Sequence, residues 1–534
     1  MARRHVSQSK PDPSVIDGAL ETMDAEELRA LVRDMLLELD DRAHGRIVNS
    51  FIERAARGAS GWTPPGPSAK GVAEVISFVA AATRVGYADA SEVDDYLRQG
   101  ANAFLGKDYA AAFEIFGALL PPIGEGDIDL GQHELVDEVL GADLSTCAAQ
   151  YVVSMYMTAA QDHRAQAVHA AIDEVEAVGS FWEPLREIER VAIEPLPGFD
   201  EFLPRWRALI EASEGPERRG DWNTDKDHWL REIVQRMEGS EGLARIARST
   251  KRADDLRAWC QALFESRNWK AALSAYGEAA ELVADDAYSR GDFLDGAALA
   301  AQELGRKNLP VWLERAWREA ASMLRLRRWL GSSNSKRSAL KRAGLALDAC
   351  PKKAHRQRTL LHVLLGDHES AAKLLAAAPG LGWSDSEHPG HLLFPLFHNL
   401  LGGGLMDPPP ALPVRWPSRR MDMDELEWMD DEDDEPRLAT PGVDEIVELV
   451  GIDQSLNDSA RTAVLKAMRT AAEKRLAGVI ENKRRRHYGH AAQLVAACAA
   501  LDSNEASRWV AGIRAEYSRF SALQRELDKH VGRA

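Results

Sequence analysis

The chain has 534 residues, of which 45% are hydrophobic and 28% charged, and its formal net charge is −18. That length exceeds what one compact core organises, and the acid excess disfavours nucleic-acid binding by the surface as a whole. Aromatics make up only 7%, Ala and Leu are abundant, and no long Val/Ile/Thr alternation occurs, which excludes a sheet protein and favours helices.

Residues 1–14 are polar and basic with no apolar run behind them, so they read as disordered and not as a signal peptide. Asp24 is placed to cap the first helix, with Glu27 three residues on to complete a capping box. Leu28, Leu31, Val32, Met35 and Leu36 then fall on one helical face, giving an N-terminal hairpin over 15–60 that ends before Pro64, Pro65 and Pro67. A helical repeat region is expected over 70–215, with breaks at Pro121-Pro122, at Gly124 to Gly131 and at Pro195–Gly198.

A second, tetratricopeptide-like region is expected over 220–401. In such repeats small residues stand where helices cross and large ones fill the groove. Trp259 and Leu263 line one helix, Trp269 opens the next, and Ala272, Tyr276 and Ala279 share a face. A second match runs from Tyr96 through Gly100, Ala103, Tyr109, Ala112 and Phe116, with Gly106-Lys107-Asp108 as its turn. A third turns at Gly366-Asp367-His368. The expected fold is therefore all-α, an irregular α-solenoid of tetratricopeptide-like hairpins plus a small C-terminal helical domain over 442–534.

Between these parts, 402–441 reads as a linker. It is rich in Gly and Pro, then strongly acidic from Asp422 to Glu435, with Met421, Met423, Trp428 and Met429 among the acids. The apolar stretch Leu392–Leu405 is broken by Pro395, His398 and glycines and is too short to span a bilayer. A cytoplasmic protein with no membrane association is expected.

The strongest electrostatic signal lies between Arg325 and Arg358. Eleven basic residues (Arg325, Arg327, Arg328, Lys336, Arg337, Lys341, Arg342, Lys352, Lys353, Arg356 and Arg358) are opposed only by Asp348, so this window carries +10 against −28 for the remainder. Such a segment suits an acidic peptide, the chain's own linker included, or a nucleic-acid backbone. Only Trp329 lies within it, where a nucleic-acid interface adds several stacking aromatics. Arg325, Arg327, Arg328, Lys336, Arg337, Lys341 and Arg342 are therefore expected to bind a partner protein or acidic peptide, with nucleic acid ranked below.

Near the C-terminus, Lys483-Arg484-Arg485-Arg486-His487-Tyr488-Gly489-His490-Ala491-Ala492 is followed by Trp509, Ile513, Tyr517, Arg519, Leu523 and Leu527. This segment, together with Leu28-Arg29-Ala30-Leu31-Val32, resembles the helical regions of bacterial SWIM zinc-finger proteins. The CxC and CxH pairs of that family's zinc motif are absent, so its zinc and nucleic-acid binding do not carry over. The resemblance implies a bacterial helical-repeat accessory protein. The spacing Arg485-x4-His490 also resembles that of the HEPN ribonucleases, in which an arginine and a histidine meet at RNA.

His388, His391 and His398 cluster in sequence, but the acids beside them, Asp385 and Glu387, read as part of a turn and not as co-ligands. The four cysteines are far apart, without a CxxC pair, and three lie in apolar helical patterns. No phosphate loop, zinc-protease or hydrolase-elbow motif occurs. No catalytic residue, metal site or cofactor is assigned. The expected function is a non-enzymatic scaffold or regulator. Two alternatives remain open: a regulatory substrate cleaved in the acidic linker, resembling in layout the helical substrate of the CRISPR-linked caspase-like protease, and a HEPN-like ribonuclease.

Overall fold

A computed structural model describes residues 13–132, 135–213, 224–283, 286–385, 388–402, 436–451, 456–501 and 503–532. The described residues form 25 α-helices and no strand. Of the expected disordered stretch 1–14, residues 1–12 lie outside them, whereas Pro13 and Ser14 already begin a helix; Glu387 and the acidic run 422–435 also lie outside. The chain divides into two compact units, with the boundary after Gly242.

The first unit holds α1 (Pro13–Glu21), α2 (Ala25–Leu37), α3 (Asp41–Arg57), α4 (Ala69–Val85), α5 (Ala90–Leu105), α6 (Tyr109–Gly124), α7 (Leu144–Thr158), α8 (Arg164–Val175), α9 (Pro184–Val191) and α10 (Phe199–Ser213). It also holds the start of α11 (Asp225–Thr250), which is interrupted by Gly239. The expected capping box is present: Asp24 accepts from the Glu27 N–H at 2.9 Å, and the Glu27 carboxylate accepts from the Asp24 N–H at 2.9 Å. Pro121 and Pro122 fall inside the last turn of α6, and the break comes just after them, beyond Gly124. Their carbonyls take the Glu125 and Asp127 N–H groups and close the helix there. One core, with Val75, Leu97, Phe104, Phe116, Tyr156, Trp206 and Trp229, runs through α4–α11 of this unit.

The second unit continues with α12 (Ala253–Glu265), α13 (Trp269–Leu282), α14 (Ala287–Glu303), α15 (Leu309–Glu319), α16 (Met323–Gly331), α17 (Lys336–Ala349), α18 (His355–Leu364), α19 (His368–Ala377) and α20 (Gly390–Leu400). It ends with α21 (Val443–Val450), α22 (Asp458–Glu481), α23 (Tyr488–Ala500), α24 (Ser503–Glu516) and α25 (Ser521–Val531). From α12 to α19 each helix packs on the next in chain order.

The three hairpins singled out by sequence share one turn. After α5, the N–H of Lys107 bonds the Phe104 carbonyl, that of Asp108 bonds the Ala103 carbonyl, and Asp108 caps α6. After α12, Arg267, Asn268 and the Asn268 cap repeat those bonds, and after α18 Gly366, Asp367 and the Asp367 cap do so again. Each turn places one residue at positive φ, Lys107, Arg267 or Gly366, to end one helix and cap the next within three residues. Trp259, Leu263, Ala272 and Ala279 are buried, Trp269 packs edge-on against Phe264 at 5.3 Å, and Tyr276 is half-buried.

The expected separate C-terminal domain is not observed. Leu375 of α19 and Leu393, Phe394 and Phe397 of α20 share one core with Val464, Met468, Leu476, Val495, Leu523 and Leu527 of α22, α23 and α25. Ile446 and Val450 of α21 join a second core with Trp317, Trp329 and Leu330. The amphipathic stripes after residue 442 are therefore closed by helices that precede the linker and not by one another alone.

Candidate functional site

The basic segment follows α15 and forms α16, α17 and the start of α18. Its charges are largely used inside the fold. Arg325 is buried on α16, where its guanidinium donates to Asp292 at 2.6 Å, to Asp295 at 2.7 Å and to the Ala320 carbonyl at 3.1 Å. Those two acids lie about 30 residues upstream on α14. Arg328 meets Asp295 at 3.5 Å and donates to the Thr440 hydroxyl at 2.9 Å. Arg327, also buried, donates to the Pro441 carbonyl at 2.8 Å. Burial lowers the Arg328 pKa, and it raises that of Asp292 against the opposing pull of Arg325.

Three more cations cap helix C-termini, where unpaired carbonyls and the negative dipole end favour positive charge. Arg342 donates to the Trp329 carbonyl at 2.8 Å beyond α16, and Arg358 donates to the Cys350 carbonyl at 3.3 Å beyond α17. Lys336 donates to the Gly451 carbonyl at 3.1 Å, closing α21, while remaining exposed. The expectation of one exposed docking surface thus fails for Arg325, Arg327 and Arg328, whose partners are internal acids and main chain. Lys336, Arg337, Lys341, Lys352 and Lys353 are the exposed remainder, and Arg342 is half-buried.

What these arginines hold is an extended strap, residues 436–442, leading into α21. Gln302 of α14 donates to the Arg437 carbonyl and accepts from the Ala439 N–H, both at 2.9 Å. Arg327 and Arg328 bind the next two residues, as above. Gly331 lies directly beneath the Pro441 ring, where any Cβ would collide with it. Sequence reasoning assigned this stretch to the linker; its one signal was the Pro441-Gly442 pair ahead of an apolar helical pattern.

A second constellation unites the two histidine motifs. His388 and His490, separated by about 100 residues, both pack on Trp383, with ring centroids at 4.9 and 5.0 Å, and His391 lies at 6.1 Å. His388 accepts from the Gly390 N–H through Nδ1 at 3.1 Å and faces the Pro379 carbonyl with Nε2 at 3.0 Å. Those bonds require a neutral ring with its proton on Nε2. Arg475 of α22 donates to the adjacent Gly380 carbonyl at 3.2 Å, and Lys474 to those of Ala376 and Ala378, together capping α19. Burial and Arg475 hold His490 well below the usual imidazole range; burial, Arg356 and the neighbouring histidine push His391 down to about 3.

Arg485 and His490 are not presented together on one exposed helical face. Lys483, at φ 55°, ends α22, and Arg485 is exposed on a short 3-10 turn, Arg485–His487. His490 is buried on α23 against Trp383. His398 is buried separately on α20. Among the described residues no group of three or more His, Cys, Asp or Glu is arranged to hold a metal ion. Between α22 and α24 an open groove of about 740 Å³ is lined by Arg461, Lys466, Arg469, Glu473, Glu505 and Trp509. Its ionic groups are partly matched: Arg469 meets Glu505 at 3.3 Å, and the Trp509 N–H donates to Glu473 at 2.6 Å.

No helix among the described residues is long and apolar enough to cross a membrane. Comparison with protein-family models and with curated proteins finds no match.

Proposed function

We propose that the chain is a non-enzymatic helical-repeat scaffold that binds an acidic segment of a partner protein. The observation carrying this reading is the strap: the α14–α16 face already holds an extended peptide through side-chain bonds to its main chain. Main-chain recognition of this kind is indifferent to side-chain identity, so specificity must come from charge nearby. Lys336, Arg337 and Lys341 on α17, with Lys352 and Lys353 beyond it, supply that charge to solvent. The recurring capped turns and sequential packing favour a solenoid, which presents such faces at low cost in core residues.

The test is fluorescence anisotropy with a labelled peptide of residues 422–435, against a chain whose own residues 403–435 are replaced by Gly/Ser of equal length. Binding should weaken with salt and fall about tenfold when Arg337 and Lys341 are both changed to Glu. Salt-independent binding, or binding unchanged by that double substitution, would overturn the surface assignment.

A further inference from the structure

The first unit holds a cavity built by α3, α5, the turn 141–143 and the start of α7. Two glycines set how closely these parts approach. A Cβ on Gly45 of α3 would meet the Arg98 guanidinium at 3.3 Å, and one on Gly141 would meet the Arg42 carbonyl at 2.8 Å. Asp94 of α5, itself buried, accepts from the Gly141 and Ala142 N–H groups at 2.7 and 2.8 Å. Arg42 donates to the Leu140 carbonyl at 3.1 Å, tying α3 to the same turn. The walls are thus fixed in advance, and a ligand need not order them.

The cavity measures about 180 Å³, and Leu97, Leu105 and Ala142 are buried in its wall beside Ile52 and Ala101. An apolar cavity of roughly this size takes a benzene-sized ring in preference to water. Four charged side chains line it, and three are balanced by other groups. Arg98 donates to Asp95 at 2.6 Å and to Asn49 at 2.9 Å, and Glu53 accepts from Arg57 at 2.9 Å. Asp143 caps α7 by accepting from the Thr146 N–H at 3.0 Å. Arg46 is exposed and has no hydrogen-bond or ion-pair partner for its side chain among the described residues. Gln150 is 3% exposed and its Oε1 makes no hydrogen bond, so its amide is not committed to the fold. The lining therefore carries one uncompensated positive charge above an apolar wall.

We infer that this cavity binds a small organic carboxylate, with its head group on Arg46 and its apolar body against Leu97, Leu105 and Ile52. One free guanidinium matches one negative charge and offers the paired N–H donors that a carboxylate accepts side by side. A phosphate dianion would bring a second charge that nothing in the wall answers. The apolar body contributes affinity by leaving water.

Fluorine NMR of para-fluorobenzoate with the full chain, against its neutral counterpart para-fluorobenzamide, reads the binding. The acid should bind with a Kd below about 10 mM, and the amide about tenfold more weakly. Arg46→Gln should remove that preference without moving the melting temperature of the ligand-free chain, because the side chain is exposed and unpaired. Arg46→Lys keeps the charge and should keep most of the preference. Ala101→Phe fills the space and should abolish binding of both probes. A Kd for the acid above about 10 mM, equal binding of acid and amide, or binding that either Arg46→Gln or Ala101→Phe leaves unchanged overturns the inference.

Discussion

Replacing Arg325 with Ala tests whether the basic segment is interior or surface. Arg325 is 8% exposed at its side chain; Asp295 is 18% and Asp292 41% exposed. Removing the guanidinium strands Asp295 in a poorly solvated position, whereas Asp292 regains water. Breaking a buried pair from one side costs roughly 3–5 kcal/mol. The open side of Asp292, and Arg328 remaining 3.5 Å from Asp295, place the expected loss at the lower end, about 3 kcal/mol. Gly291 on α14 adds to the constraint, because its bare Cα admits the guanidinium and the space left behind is not refilled. For a unit spanning Leu243–Ala534, unfolding entropies of about 2 cal/mol/K per residue convert this into a melting-temperature drop of about 5 °C. Scanning calorimetry of the full chain, following the transition of the second unit, measures it. Arg337→Glu and Lys341→Glu, on the exposed side of α17, should each move stability by no more than about 0.5 kcal/mol. Equal losses at Arg325 and Arg337, or a drop under about 1 °C for Arg325→Ala, would refute the distinction between paired and free cations.

Two further outcomes follow from the packing. His388, His391 and His490 have folded pKa values below their unfolded value, so the unfolded chain binds more protons between about 6.5 and the folded values; stability is complete above pH 6.5 and lost as pH falls. In the first unit Glu232 is pushed up to about 7 by burial, so its contribution is lost as pH rises from about 4.5 towards 7, although the Leu185 and Arg186 N–H groups offset part of that. Urea titrations should show the second unit weakening below pH 6.5, and His490→Gln should flatten that slope; an unchanged slope contradicts the cluster's role. Cleavage at a protease site engineered between 417 and 435 should leave both fragments co-eluting in native buffer, because α22, α23 and α25 share their core with α19 and α20. A C-terminal fragment eluting alone would show that the shared core does not hold it.

Local signals in the sequence were readable where the cause is itself local. Asp24 and Glu27 form their capping box within one turn, and the hairpin turns at Gly106-Lys107-Asp108 and Gly366-Asp367-His368 are set by a few neighbouring residues. Charge could not be read in the same way. A run containing Arg325, Arg327 and Arg328 has the same sequence whether its partners are water or acids on another helix, and Asp292 and Asp295 occupy an otherwise ordinary helical stretch. The spacing of Arg485 and His490 likewise assumed one continuous helix, but the positive φ of Lys483 and the following 3-10 turn separate them. Trp383, which brings the histidines together, carries no local sequence signal of that role.

The strap changes what the acidic run can do. Gly402 follows Leu401, whose carbonyl accepts from Arg461 at 3.4 Å, and Pro436 leads into residues bound by Gln302, Arg327 and Arg328, so both attachment points of 403–435 lie on one folded unit. A segment tethered at both ends is presented to that unit at an effective concentration on the order of millimolar, without any contact of high intrinsic affinity. The run from Asp422 to Glu435 carries ten acids, opposite in charge to Lys336, Arg337 and Lys341. If the proposed function holds, an acidic partner segment competes with this tethered run, and rising salt weakens both together. Partner affinity should therefore respond to linker charge even where the partner touches no linker residue.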